Sequence, residues 1–203
     1  MTQIAIRGID VPLSLEVGSA LRLTDEELFE LCARNRELRI ERTAGGDLIV
    51  MTPAGGESSH RSLEIAAALH AWAKQDGTGV AFDSSGGFVL PNGAMRAPDA
   101  AWVPRDRLAR LSAKAKQRFL PLCPDFVVEV RSPSDSLAEQ QEKLEEYRES
   151  GARLGWLVDP EARRIYVHRP GEPVAVLENP RSIAGDPELP GFTLDLEPVW
   201  ASL

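Results

Sequence analysis

The sequence predicts a single α/β domain, and three observations carry that expectation. Two helices announce their starts with capping boxes, at Thr24 with Glu27 and at Ser136 with Glu139. Short apolar or alternating runs at 38–51, 80–103, 125–131 and 154–168 read as strands set between helices. No repeat and no low-complexity linker divides the 203 residues, a length suited to one large domain. Residues 1–23 mix polar and apolar side chains without a period and read as an N-terminal arm. The domain itself is expected over 24–203.

The elements follow in order. A helix runs from Thr24 to Asn35, with Leu28, Leu31 and Cys32 on its apolar face. A hairpin comes next: Leu38–Arg42 alternates, Gly45-Gly46 turns, and Leu48–Met51 returns. Pro53-Ala54-Gly55-Gly56 breaks the chain before a helix from Ser58 to Gln75 with a broad apolar stripe. Val80 and Phe82 begin a strand that Phe88–Leu90 is expected to continue past Ser84-Ser85-Gly86-Gly87. Pro91-Asn92-Gly93 is a turn, and Ala97–Val103 is the next strand. Pro104 to Pro121 is polar and basic, a short helix plus loop. Asp125–Arg131 is the clearest strand. The helix opened by Ser136 carries Leu137, Ala138, Leu144 and Tyr147 inward and stops at Gly151. Leu154–Val158 and Ile165–His168 flank a turn at Asp159-Pro160. The tail from Pro173 to Trp200 reads as edge strands and loops.

Composition narrows the class of function. With 23 basic and 31 acidic residues the net charge is −8, which argues against sequence-blind coating of nucleic acid by a basic surface. It leaves room for a carboxylate-rich metal site, whose negative charge bound cations offset. The two cysteines, Cys32 and Cys123, lie far apart without CxxC or His-rich neighbours, which excludes a zinc site and suggests reduced thiols in a cytosolic protein. No apolar window approaches about 18 residues, so a cytoplasmic chain without membrane contact is expected. Neither GxSxG nor GK[ST] nor GxGxxG occurs, and no nucleophilic triad emerges.

Two carboxylates stand apart from the general surface charge. Asp99, after Pro98, shares a face with Ala101 and Val103 if its strand is regular. Glu129 lies in Phe126-Val127-Val128-Glu129-Val130-Arg131, where Val127, Glu129 and Arg131 face one way and Phe126, Val128 and Val130 the other. A charge in so apolar a strand needs a partner. If the strands are neighbours, Asp99 and Glu129 can converge on one hard cation, Mg²⁺ or Mn²⁺, completed by waters and phosphate. The spacing equally allows each carboxylate to pair with an arginine or cap a loop.

Four segments resemble the Uma-type putative restriction endonuclease family: Ala97-Pro98-Asp99-Ala100, Pro124–Asp135, Lys143–Tyr147 and Trp156–Pro160. That family is similar to the PD-(D/E)XK nuclease superfamily, and the resemblance spans about 24–200. It implies a restriction-endonuclease-like mixed β-sheet flanked by helices, here with an N-terminal helix and hairpin extension. It also implies that Asp99 and Glu129 bind metal, that the Val130 carbonyl completes the ligand set, and that Glu41 is an outer ligand or holds a basic residue; the sequence equally allows Glu41 to pair structurally with Arg39 or Arg61.

Arg131 departs from the family pattern, because it stands where the superfamily carries a lysine and arginine does not accept a proton from water. Arg131 is therefore expected to hold a phosphate oxygen or the Glu129 side chain. Lys143 is the replacement the resemblance suggests, on a helix flank with Gln140 and Tyr147. His60 and Tyr147 are accessory candidates, His60 for phosphate contact or proton shuttling. The activity implied is Mg²⁺- or Mn²⁺-dependent endonuclease cleavage, of DNA before RNA, with homodimerisation left open. The alternative is the same fold without catalysis, serving as a protein-interaction or nucleic-acid-docking module. A two-carboxylate glycosidase is disfavoured by 6% aromatic content, since sugar subsites need exposed rings.

Overall fold

The computed structural model describes residues 13–15, 23–51 and 53–203. Of the expected arm, Leu13–Leu15 forms β1; most of the remainder lies outside the described residues. Helix α1 (Asp25–Arg34) starts at Thr24, whose hydroxyl and Glu27 cap each other reciprocally as anticipated. The hairpin is β2 (Arg39–Arg42) and β3 (Leu48–Met51), with Ile40 opposite Val50 and Glu41 opposite Ile49. Helix α2 (Gly56–Asp76) begins two residues earlier than expected, with Gly55 at its N-cap position.

The middle of the chain departs most from expectation. Strand β4 (Gly79–Asp83) and strand β5 (Phe88–Val89) are not one interrupted strand; they belong to different sheets. Residues 84–87 carry the chain across, and a side chain at Gly87 would collide with the Phe119 ring. Strand β6 (Met95–Arg96) was not foreseen and pairs with both β2 and β5. Strand β7 (Ala100–Pro104) is shorter than expected, so Asp99 stands in the bend just before it rather than within it. The polar stretch then forms two short helices, α3 (Arg105–Ala109) and α4 (Ala113–Lys116).

Strand β8 (Phe126–Val130) is buried at every position. It leads into α5 (Leu137–Glu149), where the Ser136 hydroxyl accepts from the Glu139 amide. Then follow β9 (Leu154–Asp159), β10 (Arg164–His168) and β11 (Ala175–Glu178). The tail adds the pair β12 (Ser182–Ala184) and β13 (Thr193–Asp195), and a terminal helix, α6 (Glu197–Trp200), in place of loop.

A six-stranded mixed sheet in the order β11-β10-β9-β8-β7-β4 forms the centre. Only β8 and β9 run parallel, because α5 carries the chain back between them, as a parallel crossover requires. Helix α2 covers one face, where Ile65, Leu69 and Ala73 meet Trp102, Phe126, Val128 and Trp156. Helix α5 covers the other, where Leu144 and Tyr147 meet Ala101, Val127 and Leu157. Gly155 allows that close approach: a Cβ there would lie 2.7 Å from the Leu144 side chain. A second sheet, β1-β3-β2-β6-β5, is packed by α1 around Leu28, Ile40, Leu48 and Met95. No helix among the described residues is long and apolar enough to cross a membrane.

Candidate active site

The alternation that drives Ile40 and Met95 into the smaller core turns Arg39, Glu41 and Arg96 the other way, toward the edge of β8. From the large sheet, β7 and β8 bring two carboxylates together. Ala100 pairs with Val128 in antiparallel register, so one further step sets Asp99 opposite Glu129. The Val130 amide seals that end of the pair by donating to Asp99 Oδ2 at 2.8 Å. Helix α5 lays Lys143, Glu146 and Tyr147 along one flank over these carboxylates.

The contacts form one network. Lys143 Nζ lies 2.8 Å from Glu129 Oε1 and 3.0 Å from Glu41 Oε1. The Tyr147 hydroxyl donates to the same Glu129 oxygen at 3.0 Å. Arg96 ties Glu41, at 3.2 Å, to Glu146, at 2.6 Å, and the Ala97 amide donates to Glu41 at 3.0 Å. Arg39 reaches Asp99 Oδ1 at 3.4 Å and also donates to the Ala97 carbonyl. Four carboxylates therefore meet three cations, in a setting where Glu41 and Glu129 are only 2% and 4% exposed.

The two buried glutamates fare differently. Burial opposes ionisation of Glu41, but Lys143, Arg96, the Ala97 amide and Arg39 outweigh it and hold its pKa down at about 2. Glu129 is pushed up to about 7 by burial, with Lys143 opposing and the charges of Asp99 and Glu41 adding to the rise. Burial alone would lower Lys143, yet Glu129 and Glu41 more than offset it and keep the ammonium protonated. Tyr147 is raised well above its ordinary value by burial and by Glu129. Glu41 is thus held as an anion, whereas burial leaves Glu129 with the higher proton affinity of the two.

Asp99 is held next to the end of β8 and buried Glu129 has a raised proton affinity, a neighbourhood that fits a hard cation taking two carboxylates plus waters and phosphate. Among the described residues no group of three or more His, Cys, Asp or Glu is arranged to hold a metal, so protein ligands alone would leave such a shell incomplete.

The expected residues divide into two sets. Asp99, Glu129, Glu41, Lys143 and Tyr147 are brought together. Arg131 is not a partner of Glu129, contrary to expectation: β8 ends at Val130, and the Arg131 guanidinium turns to Asp159 Oδ2 at 2.9 Å and the Asp135 carbonyl at 3.1 Å. It pins the 132–135 turn to the end of β9. His60 lies on α2, which packs on the opposite face of the large sheet from Glu129, and its near charge is Glu64 at 3.9 Å. The structure adds Arg39, Arg96 and Glu146, which the sequence reading did not select. Their signal was present: Arg39 and Glu41 flank Ile40 in strict alternation, and Arg96 sits among buried Ala94, Met95 and Ala97.

Comparison with known proteins bears on the family and the fold. Residues 25–197 match the family model Uma2, described as a putative restriction endonuclease. A crystal structure of a putative nuclease belonging to DUF820, from Anabaena variabilis, superposes with a TM-score of 0.71 at 18% identity, covering 88% of this chain and 97% of that one. No curated protein sequence matches.

Proposed function

The chain belongs to the Uma2 family of putative restriction endonucleases, and on that premise we propose that it is a metal-dependent endonuclease hydrolysing phosphodiester bonds, with DNA as substrate. One observation carries the reading: Asp99, in the bend that leads into β7, is held at the end of β8 by the Val130 amide at 2.8 Å, beside Glu129 with the Lys143 ammonium 2.8 Å away. Asp99, Glu129 and the Val130 carbonyl would hold Mg²⁺ or Mn²⁺, with Glu41 behind them fixing Lys143. A bound divalent cation supplies Lewis-acid polarisation of the scissile phosphate and a lowered water pKa.

The chain's own groups do the rest. Lys143, kept protonated by its two glutamates, donates to the attacking water or a phosphate oxygen and offsets charge on the phosphorane. Glu129 would be occupied as a ligand and Lys143 is already protonated, so the water's proton passes to solvent or to a phosphate oxygen. Tyr147 orients the Glu129 carboxylate. Arg39, about a third exposed at its side chain, is the cation of the network open to an incoming phosphate. The product would carry a 5′-phosphate. Two free thiols, Cys32 and Cys123, suit a reducing cytoplasm.

The test is nicking of supercoiled plasmid across a series of divalent cations, with Asp99→Asn beside wild type. Cleavage that needs Mg²⁺ or Mn²⁺ and vanishes in the variant supports the proposal; equal cleavage in both sinks it. A second reading, a docking module without catalysis, draws on Glu129 Oε1 being already engaged by Lys143 and Tyr147. Calorimetry separates the two, since a docking module has no need to bind Mg²⁺ at Asp99.

A further inference from the structure

We propose that residues 105–118 form the surface that grips the sugar–phosphate backbone of a DNA duplex, an inference that rests on the nuclease reading and extends it to how substrate is held. The segment reads Arg-Asp-Arg-Leu-Ala-Arg-Leu-Ser-Ala-Lys-Ala-Lys-Gln-Arg: six basic residues and one acidic in a chain whose net charge is −8. Elsewhere acids exceed bases, so this stretch reverses the sign of the local field. Charge density of that kind, rather than net charge, is what attracts a polyanion.

The fold keeps four of these cations available, while Arg107 pairs with Asp125 and Arg118 lies over the Phe29 ring. Arg105, Arg110, Lys114 and Lys116 are exposed. Among the described residues Arg105, Lys114 and Lys116 make no ion pair, and Arg110 has only Asp106 one turn away, itself in solvent. Leu108 and Leu111 anchor the segment on the cluster that holds Val127, Leu144 and Tyr147. The strip therefore lies on the α5 side of the large sheet, the side that carries Glu129. An open concavity of about 380 Å³, floored by Val80, Phe82, Leu108 and Leu120, brings Arg105 and Lys116 to one surface although α3 and α4 are separate helices.

Strand β7 sets the spacing. Asp99 immediately precedes it and Arg105 immediately follows it. Its five residues, at about 3.3 Å each, put Arg105, the first cation of the strip, about 17 Å from Asp99. That is about five base-pair steps at 3.4 Å per step. A duplex with its scissile phosphate at Asp99 and Glu129 has backbone phosphates at the distance of the strip. An acidic protein partner has no reason to match that interval.

The test measures binding rather than cleavage, so it does not depend on the chain being active. A fluorescein-labelled 20-base-pair duplex is titrated by anisotropy in EDTA, over a salt series, with wild type and with Arg110→Gln/Lys114→Gln/Lys116→Gln. Each phosphate contact contributes about 0.9 to the slope of log Kd against log salt, or about eightfold in Kd at 0.1 M. The triple variant should lower that slope by about 2.7. A control, Arg164→Gln/Arg181→Gln, removes two ion-paired cations, one on β10 and one just before β12, and should leave the slope unchanged. An unchanged slope in the triple variant overturns the inference. So does an equal loss in the control, or no duplex binding by wild type up to about 100 µM. Plasmid nicking is scored separately: nicking with an unchanged slope refutes the strip and spares the nuclease, and a lowered slope without nicking does the reverse.

Discussion

The two faces of the central sheet are built from the same strands and put to opposite uses. On the α2 face, β8 presents Phe126, Val128 and Val130 to Trp102, Trp156, Phe192 and the helix, with no charged side chain among the buried residues. On the α5 face the same strand presents Val127 and then Glu129, and the apolar packing gives way to Lys143, Glu41, Arg96 and Asp99. One residue of strand separates the driest part of the protein from its most crowded group of charges. The lesson is that a charge network of this kind needs a rigid apolar support. Glu129 can be held at 4% exposure because its neighbours on the other side of the strand are closely packed and buried.

The strongest way to break the comparison is on the dry face. Phe126 and Trp156 meet edge to face at 4.8 Å, and Trp156 stacks on Phe192 at 5.8 Å. Trp156→Ala should cost about 4 kcal/mol in urea unfolding, through lost burial and a cavity that tight packing cannot close. A cost below about 1 kcal/mol would mean that this face is not the support claimed for it.

On the charged face, Lys143→Met removes the cation shared by Glu41 and Glu129. Breaking a buried pair costs about 3 kcal/mol, less than the tryptophan. It should also abolish plasmid nicking while leaving Mg²⁺ affinity within a few fold, because Asp99 and Glu129 are untouched. Nicking at the wild-type rate would remove Lys143 from the mechanism and direct attention to Arg39.

How much of this was legible in the sequence depended on what each signal encodes. Capping at Thr24 and Ser136 and alternation at β2 and β3 are local, and the structure has α1, α5 and the hairpin within a residue or two of expectation. Which sheet a strand joins is not local. Phe88 and Val89 look like a continuation of β4, and only the packing of Phe119 against Gly87 and the partnership with β6 reveal the crossing. The site shows the same division. Asp99, Glu129 and Lys143 stood out as charges in apolar or family-like contexts. Arg131 was misplaced because period-two alternation gives a face but not a rotamer, and Asp159 at the end of the neighbouring strand is the nearer acid. Arg39 and Arg96 do not stand out in the sequence as site residues because their partners, Asp99 for one and Glu41 with Glu146 for the other, are brought to them by the fold.

A sharper version of the comparison concerns pH. Glu129 rises from 4.5 to about 7 on folding, so the folded state holds its proton more tightly than the unfolded one. Between those values the folded state binds the extra proton, and stability falls as pH climbs through about 7. Glu129→Gln is neutral at every pH and escapes that loss. In EDTA it should match wild type near pH 5 and exceed it in Tm at pH 8, the gap opening as pH rises through about 7. Added Mg²⁺ should stabilise wild type at pH 8 and not the variant. A Tm difference independent of pH would contradict the assignment of Glu129 as the undercompensated carboxylate.

The smallest effect is expected away from the network but on the same face. His168 ends β10, is 3% exposed, and neither ring nitrogen has a hydrogen-bond partner among the described residues. Glu145 lies 3.9 Å away and favours the imidazolium, but burial outweighs it, Arg148 adds repulsion, and the pKa falls below 6.5. The unfolded chain therefore binds the proton first. Stability is intact above about 6.5 and declines as pH drops below it toward the lowered folded value. His168→Phe replaces an unsatisfied polar ring with an apolar one of similar shape, and should gain about 1 kcal/mol at pH 7. The gain should widen at pH 5.5, where wild type is losing stability and the variant has no such proton to bind. Denaturant unfolding at the two pH values measures both. If the variant is less stable than wild type at pH 7, or its advantage shrinks on acidification, His168 is held by its surroundings rather than tolerated by them, and the α5 face is more uniformly polar than the comparison with the α2 face supposes.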